Sequence, residues 1–168
     1  MKPKQRQKES LVRNFIFGVE DSLVSTVGLV SGIAVANVPK ETIFLTGIIL
    51  IFVEAFSMAV GTFLSESGAE EFVEGKSKLS NTKLITGSAV MFVSYLLAGI
   101  IPLFPYTFAD TQNAFILSVG LSLFALFALG AVTAIAFKKK ILSHGIKMLI
   151  LGGVAIVVGI AVGKLIQN

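Results

Sequence analysis

The sequence has no cysteine and no tryptophan, a single histidine, and few charged side chains. Without cysteine, a disulfide framework, a thiolate metal site and a cysteine nucleophile are excluded. A single histidine also excludes a metal site built from several histidines. Only 14% of the 168 residues are charged and 54% are apolar, whereas soluble domains have about 25% charged and roughly 45–50% apolar residues. This shortage of charge predicts an integral membrane protein.

The apolar residues form five runs, each long enough for the roughly 20 residues of helix that a bilayer requires. Open strands cannot cross lipid with unpaired backbone groups, so an all-α fold with five transmembrane helices is predicted. Residues 1–168 are expected to form one transmembrane domain, with a short acidic cytoplasmic connection at residues 65–83. The expected spans are Phe15–Ala36, Ile43–Leu64, Leu84–Phe104, Asn113–Phe137 and Ile146–Ile166.

The basic residues are distributed unevenly between the loops. A cytoplasmic N-terminus places twelve of the fourteen Lys and Arg residues on the inner side, leaving Lys40 and Lys164 outside, as the positive-inside rule favours. Five spans then place the C-terminus on the opposite side. The formal charge of +4 is therefore interpreted as a topology signal and a contact for anionic lipid, and no nucleic-acid partner is expected.

Three carboxylates fall within the apolar runs, namely Glu20, Asp21 and Glu54. An ionisable group at the centre of a membrane helix costs at least about 2.5–3.5 kcal/mol, so each of these acids indicates a function. For each, a purely structural interpretation also stays open. Glu20 would then extend toward Arg13 or the membrane interface, and Asp21 would only fix the register of its helix.

Helical spacing places each of two acids on a face with small residues. The faces are Asp21, Ser25, Gly28 and Gly32 on the first helix, and Glu54, Met58, Gly61 and Ser65 on the second. A GxxxG pair such as Gly28 and Gly32 lets two helix backbones approach closely, which predicts helix packing or a dimer seam along these faces. If the two faces meet, the carboxylates and the Met58 thioether converge at one depth. Met58 as a simple packing residue is the alternative.

The chemistry of this set favours a transporter of divalent cations. Carboxylates bind hard cations, and a thioether adds a preference for borderline metals such as Fe²⁺. A carboxylate in a medium of low dielectric can exchange a metal ion for a proton, which suggests coupled transport.

The connection after the second span carries a further group of acids. They repeat at helical spacing, with one additional neighbour: Glu66, Glu70, Glu71 and Glu74. We expect them either to collect cations at the cytoplasmic mouth or to form a solvated helix end balanced by Lys76 and Lys78.

Four segments together resemble the vacuolar iron transporter family, which includes the nodulin-21-like proteins. The most specific is the first-helix run RNFIFGVEDSLV, and the others are AFSMAVGTFLS, YLLAGIIPLFPY, and the glycines of the last helix around Gly152-Gly153 and Gly163-Lys164-Leu165. The resemblance extends from Arg13 to the end of the chain. It implies a five-helix homodimer that moves Fe²⁺, and often Mn²⁺, out of the cytosol by proton antiport. The path would follow the dimer interface, lined by the first two helices, with Asp21 and Met58 at the family's metal-path positions.

The chain departs from the family pattern at three points. The connection between the second and third spans is short, where many relatives insert a Glu-rich metal-binding domain. Some relatives carry a glutamate eight residues before the Met, where this chain has Leu50, and Glu54 is a candidate substitute one helical turn along. The residue after Asp21 is Ser22 where the family usually has glycine, a change that is expected to tighten packing.

Two other functions remain open. The first is a small proton-coupled exporter of organic cations, which the absence of tryptophan disfavours because such sites surround the cation with aromatic rings. The second is a non-transporting membrane scaffold. No nucleophile–base pair or phosphate loop indicates an enzyme, and no cofactor is expected beyond the transported metal. The expected location is the plasma membrane of a prokaryote or a vacuole-type membrane of a eukaryote.

Overall fold

The computed structural model describes residues 3–36, 38–74 and 81–167. This part of the chain forms five α-helices and one short 3-10 helix, which follows the third of them. Their bounds are α1 Pro3–Val35, α2 Lys40–Glu74, α3 Asn81–Leu103, the 3-10 helix Phe104–Thr107, α4 Thr111–Ala136 and α5 Ile141–Gln167. All five α-helices are long and apolar enough to cross a membrane, which confirms the predicted all-α membrane class.

Helices α1 and α2 extend well beyond the predicted spans. With 33 and 35 residues, each is about 50 Å long at 1.5 Å per residue, whereas the hydrocarbon core of a bilayer is about 30 Å thick. Helix α1 begins twelve residues before Phe15, and α2 continues ten residues past Leu64. Much of the expected 65–83 connection is therefore an extension of α2, and residues 75–80 lie outside the described part of the chain.

The end of α3 and both ends of α4 show why the chain turns where it does. Pro102 lies in the last turn of α3, and Pro105 is the second residue of the 3-10 helix. Asp110 caps α4 by accepting a hydrogen bond from the Asn113 backbone N–H at 3.3 Å. Hydrogen bonds from Asn113 lower the pKa of the Asp110 carboxyl, so the cap persists at neutral pH and is lost on acidification through that lowered pKa. At the other end of α4, Lys138 has a φ of 54°, the left-handed conformation that closes a helix.

Helix α1 lies at the centre of the bundle, where it packs mainly against α3 and α5, while α2 packs mainly against α3. One core cluster joins α1, α2, α3 and α4 around Tyr95, Ile51 and Val30, all of which are buried. A second, smaller cluster joins α1, α3 and α4 through Leu23, Ala98 and Leu126. The central position of α1 places its polar residues between helices rather than in lipid.

The GxxxG pair of α1 meets a matching pair on α5. A Cβ atom added to Gly32 would lie 2.6 Å from the Gly159 carbonyl oxygen, and one added to Gly28 would lie 3.2 Å from the Ala155 carbonyl oxygen. Conversely, Cβ atoms on Gly159 and Gly163 would collide with the Gly28 and Gly32 carbonyl oxygens. The two backbones are therefore in direct contact, as small residues at four-residue spacing allow.

Candidate cation site within the membrane

The centre of the site is a pair of carboxylates from different helices. Asp21 lies on α1 and Glu54 on α2, and both side chains are half-buried. The two groups are near enough to repel each other electrostatically. Two carboxylates at membrane depth are costly unless positive charge compensates them. The pair is therefore the candidate cation site of the described chain.

Two hydroxyl groups and a buried tyrosine border this pair. The Ser25 Oγ atom lies 2.7 Å from the Tyr95 hydroxyl oxygen, and the Ser22 hydroxyl donates a 2.6 Å hydrogen bond to the Tyr95 carbonyl oxygen. Tyr95 is fully buried and lies within electrostatic range of both Asp21 and Glu54. Both serines follow Asp21 within about one turn of α1, so their hydrogen bonds to Tyr95 hold α1 and α3 together next to Asp21. Ser22 is also fully buried, which agrees with the tight packing expected at that position.

Glu20 and Asp21 line a small pocket of about 170 Å³ between α1 and α5, together with Phe17, Val24 and Leu151. The pocket lies on the part of α1 that precedes the tight contact with α5 at Gly28 and Gly32. Glu20 is half-buried and interacts electrostatically with Asp21. Its carboxylate therefore neighbours Asp21, one member of the pair.

Met58 is half-buried and packs against the core cluster that contains Tyr95 and Ala55. It lies one helical turn from Glu54, on the same face of α2. The structure thus places Met58 against the cluster that contains Tyr95, one helical turn from Glu54 on α2.

A separate polar cluster lies where α1 and α2 extend beyond the predicted spans, and Glu66 is its centre. The Glu66 carboxylate accepts hydrogen bonds from Ser10, from Asn14 at 3.0 Å and from Arg13 at 3.3 Å. Asn14 is buried and also donates to the Gly87 carbonyl oxygen at 3.3 Å. Glu66 is only 12% exposed. These contacts link α1, α2 and α3, and they pair Arg13 with Glu66, not with Glu20.

The remaining acids predicted for the cytoplasmic mouth are less enclosed. Glu70 is half-buried and Glu71 is exposed on the last turns of α2. The side chain of Glu74 lies outside the described residues. Among the residues that the structure describes, no group of three or more His, Cys, Asp or Glu side chains is close enough to hold a metal ion. The described residues therefore provide no cluster of ligands that would support a cation-collecting site at the cytoplasmic mouth.

The residues predicted for a helix seam are found in different environments. Ser25 contacts α3 through Tyr95, and Gly28 and Gly32 contact α5 of the same chain. The close approach at Gly28 and Gly32 thus serves packing within the chain, because α5 occupies the space beside them. Gly61 differs from these three residues. It is exposed on α2, and no other part of the described chain lies within 4 Å of a Cβ added there.

Sequence reasoning missed Tyr95 and Asn14 as parts of polar clusters. In the sequence, Tyr95 is the first residue of the family-like segment YLLAGIIPLFPY and one of two tyrosines in the chain, and a tyrosine in an apolar run is compatible with simple packing. The available signal was its hydroxyl, since a buried tyrosine hydroxyl usually has a hydrogen-bond partner. For Asn14 the signal was its position directly before the first predicted span, because a polar side chain buried there needs a hydrogen-bond partner.

An all-α membrane protein with a carboxylate pair between its first two helices is the class that this fold and site define. The sequence model of a family described as the VIT family matches residues 12–89 and 75–164. The chain belongs to the VIT family.

The chain is also similar in sequence to named plant proteins over most of their length. The chain is 22% identical to vacuolar iron transporter 1 of Oryza sativa subsp. japonica, over 94% of this chain and 86% of that protein. It is 29% identical to vacuolar iron transporter homolog 4 of Arabidopsis thaliana, over 94% of this chain and 84% of that protein. The alignment with the rice protein spans 217 positions, more than the 168 residues of this chain. The rice protein therefore carries inserted residues, which is consistent with a short form of the family.

Proposed function

We propose that this chain transports divalent metal ions, Fe²⁺ and Mn²⁺, out of the cytosol in exchange for protons. The observation that carries the proposal is the Asp21–Glu54 pair, two mutually repelling carboxylates on neighbouring transmembrane helices. Membership of a family whose named relatives include iron transporters supports the choice of ion. The expected location is the plasma membrane in a prokaryote or a vacuole-type membrane in a eukaryote.

The ligand chemistry supports first-row divalent metals. Carboxylate and hydroxyl oxygens suit Mn²⁺ and Fe²⁺, and the Met58 thioether adds the softer donor that disfavours Mg²⁺ and Ca²⁺. Protons and metal ions compete for the same carboxylates, because both supply the positive charge that the pair requires at membrane depth. Metal release on the side opposite the N-terminus is then favoured when protons are abundant there.

A homodimer would complete the site. Two carboxylates and one thioether in one chain are few for an ion that takes about six ligands, and a two-fold axis would double every donor. On α2, three small residues at four-residue spacing face outward: Ser57, Gly61 and Ser65. Such a row lets two membrane helices approach closely. We therefore infer that α2 meets its symmetry mate along this row, beside the carboxylate pair.

The dimer seam is testable because the chain has no native cysteine. A Gly61→Cys variant is expected to form a disulfide-linked dimer on mild oxidation in membranes, since residues near a two-fold axis approach their own copies. The matched control is Phe124→Cys, which is 71% exposed on α4 and should remain monomeric on a denaturing gel. Equal cross-linking of both variants, or of neither, would argue against this seam.

The proposed transport is tested with purified protein in liposomes that contain a metal-sensitive dye. With an acidic interior, Mn²⁺ or Fe²⁺ added outside should enter faster than in protein-free liposomes, and a protonophore should abolish most of the gain. Uptake without any response to the pH gradient would remove the antiport mechanism. No uptake of either ion would remove the transport function and favour the scaffold hypothesis.

The organic-cation exporter gains no support from the two tyrosines. Tyr95 is fully buried and hydrogen-bonded to Ser25, and Tyr106 is buried in the 3-10 helix after α3. Aromatic cages require exposed ring faces around the cation. Neither ring is available for that role in this arrangement.

A further inference from the structure

The contact between Ser25 and Tyr95 has features that a simple packing contact does not require. Tyr95 is attached to α1 at two points, through its hydroxyl to Ser25 and through its carbonyl oxygen to Ser22. Ser22 follows Asp21 directly. Ser25 lies one helical turn after Asp21, on the same face of α1 as Asp21. The phenol is therefore held against the turn of α1 that follows Asp21.

The two hydroxyls retain unused hydrogen-bonding capacity. Each has one hydrogen to donate and two lone pairs that accept, and their mutual hydrogen bond uses one hydrogen and one lone pair. One O–H group and three lone pairs therefore remain unused within this pair, one helical turn from Asp21. The free O–H can donate to a carboxylate when no cation is bound, and the lone pairs can face a cation when one is present.

We propose that Ser25 and Tyr95 form the neutral half of the cation site, contributing hydroxyl oxygens to the ion that Asp21 and Glu54 bind. The inference rests on the proposed function and extends it to two residues of α1 and α3. Neutral oxygen donors such as carbonyl groups and water suit Mn²⁺, and a hydroxyl is a donor of the same kind. They add ligands without adding charge, so the site gains affinity without more repulsion between carboxylates.

If Ser25 and Tyr95 had a purely structural role, their loss would have a different effect. The chain offers a matched control for this comparison. Tyr106 is also a buried tyrosine, only 2% exposed, and its hydroxyl has no hydrogen-bond partner among the described residues. Tyr95→Phe and Tyr106→Phe remove the same atom from similarly buried rings. A merely structural hydroxyl at Tyr95 would change thermal stability without changing how the protein handles metal.

The test measures KM and maximal rate for Mn²⁺ uptake in proteoliposomes, together with melting temperature in detergent. Tyr95→Phe and Ser25→Ala should each raise KM about ten-fold, as the loss of one ligand-type hydrogen-bonding group implies. Ser25→Thr keeps the hydroxyl and should hold KM within about two-fold, as should Tyr106→Phe. The double variant should be little worse than either single variant, because the two hydroxyls act as one unit.

The outcomes separate this inference from the proposed function. Transport by the wild type with unchanged KM in Tyr95→Phe and Ser25→Ala overturns the inference alone. An equal rise of KM in Tyr95→Phe and Tyr106→Phe also overturns it, since the effect would then be structural. A wild type that transports neither Mn²⁺ nor Fe²⁺ overturns both. Raised KM in Tyr95→Phe and Ser25→Ala, with Ser25→Thr and Tyr106→Phe unaffected, supports it.

Discussion

The Asp21→Ala variant is expected to transport Mn²⁺ and Fe²⁺ at least about 100-fold more slowly than the wild type. Removing one partner of a close, desolvated charged set typically costs about 2–5 kcal/mol of interaction, and about 2.7 kcal/mol corresponds to a 100-fold change. Asp21 carries this effect because it is near Glu54, Glu20 and Tyr95. The measurement is initial uptake into proteoliposomes at matched amounts of protein.

Two further variants make the Asp21 result specific. Glu41→Ala removes an exposed carboxylate from the first turn of α2 and should leave uptake unchanged. Glu20→Gln should reduce uptake only a few-fold (roughly two- to five-fold), because Glu20 lies beside the pair rather than in it. The melting temperature of Asp21→Ala should not fall, since an uncompensated carboxylate is removed from a membrane helix. Undiminished uptake by Asp21→Ala would contradict the site assignment.

The second large effect concerns packing. Gly159→Leu is expected to destabilise the fold by about 3 kcal/mol, since its Cβ alone would collide with the Gly28 carbonyl oxygen on α1, and overpacking of a close contact costs about 1–3 kcal/mol or more. The helices α1 and α5 would have to separate, which disturbs the α1 residues that precede this contact. The measurement is the melting temperature in detergent micelles, with the fraction of monodisperse protein.

The same helix supplies a matched control for this substitution. Gly153 also lies on α5, but no atom of the described chain outside its own helix turn lies within 4 Å of a Cβ added there. Gly153→Leu should leave the melting temperature unchanged or slightly raised, because leucine has the higher helix propensity. Equal losses in the two variants would show that α5 tolerates no bulk at any glycine, contrary to the close contact at Gly159.

The membrane spans could be predicted from composition, but the helix ends could not. Long apolar runs indicate where lipid is crossed. Two of the five predicted spans lie wholly within observed α-helices, and each of the other three extends past its helix by a single residue. Hydropathy carries no information about helical turns that continue into water. The amphipathic start of α1 and the acidic end of α2 are stabilised by contacts such as those of Glu66 with Asn14 and Arg13. These contacts join residues more than 50 positions apart, beyond any local pattern.

The sequence predicts which residue types form the candidate site. It does not predict which of these residues are in contact. The cost of membrane carboxylates identifies Asp21 and Glu54 from the sequence alone, and their proximity follows once α1 and α2 are placed. The GxxxG spacing of Gly28 and Gly32 predicts a close approach without naming the partner helix. The matching Gly159 and Gly163 pair was a usable signal, since two such pairs can interlock. The contacts of Tyr95 with Ser22 and Ser25 depend on how α3 packs against α1, which no local pattern indicates.

The central claim is that the Asp21–Glu54 pair binds a divalent metal ion, and equilibrium binding of Mn²⁺ to the purified protein tests it most directly. Electron paramagnetic resonance distinguishes free, hydrated Mn²⁺ from the bound ion. The expected result is saturable binding by the wild type and by Glu41→Ala, with at least about a 100-fold loss of affinity in Asp21→Ala and in Glu54→Ala. Binding that is equally strong in all four proteins would contradict the claim.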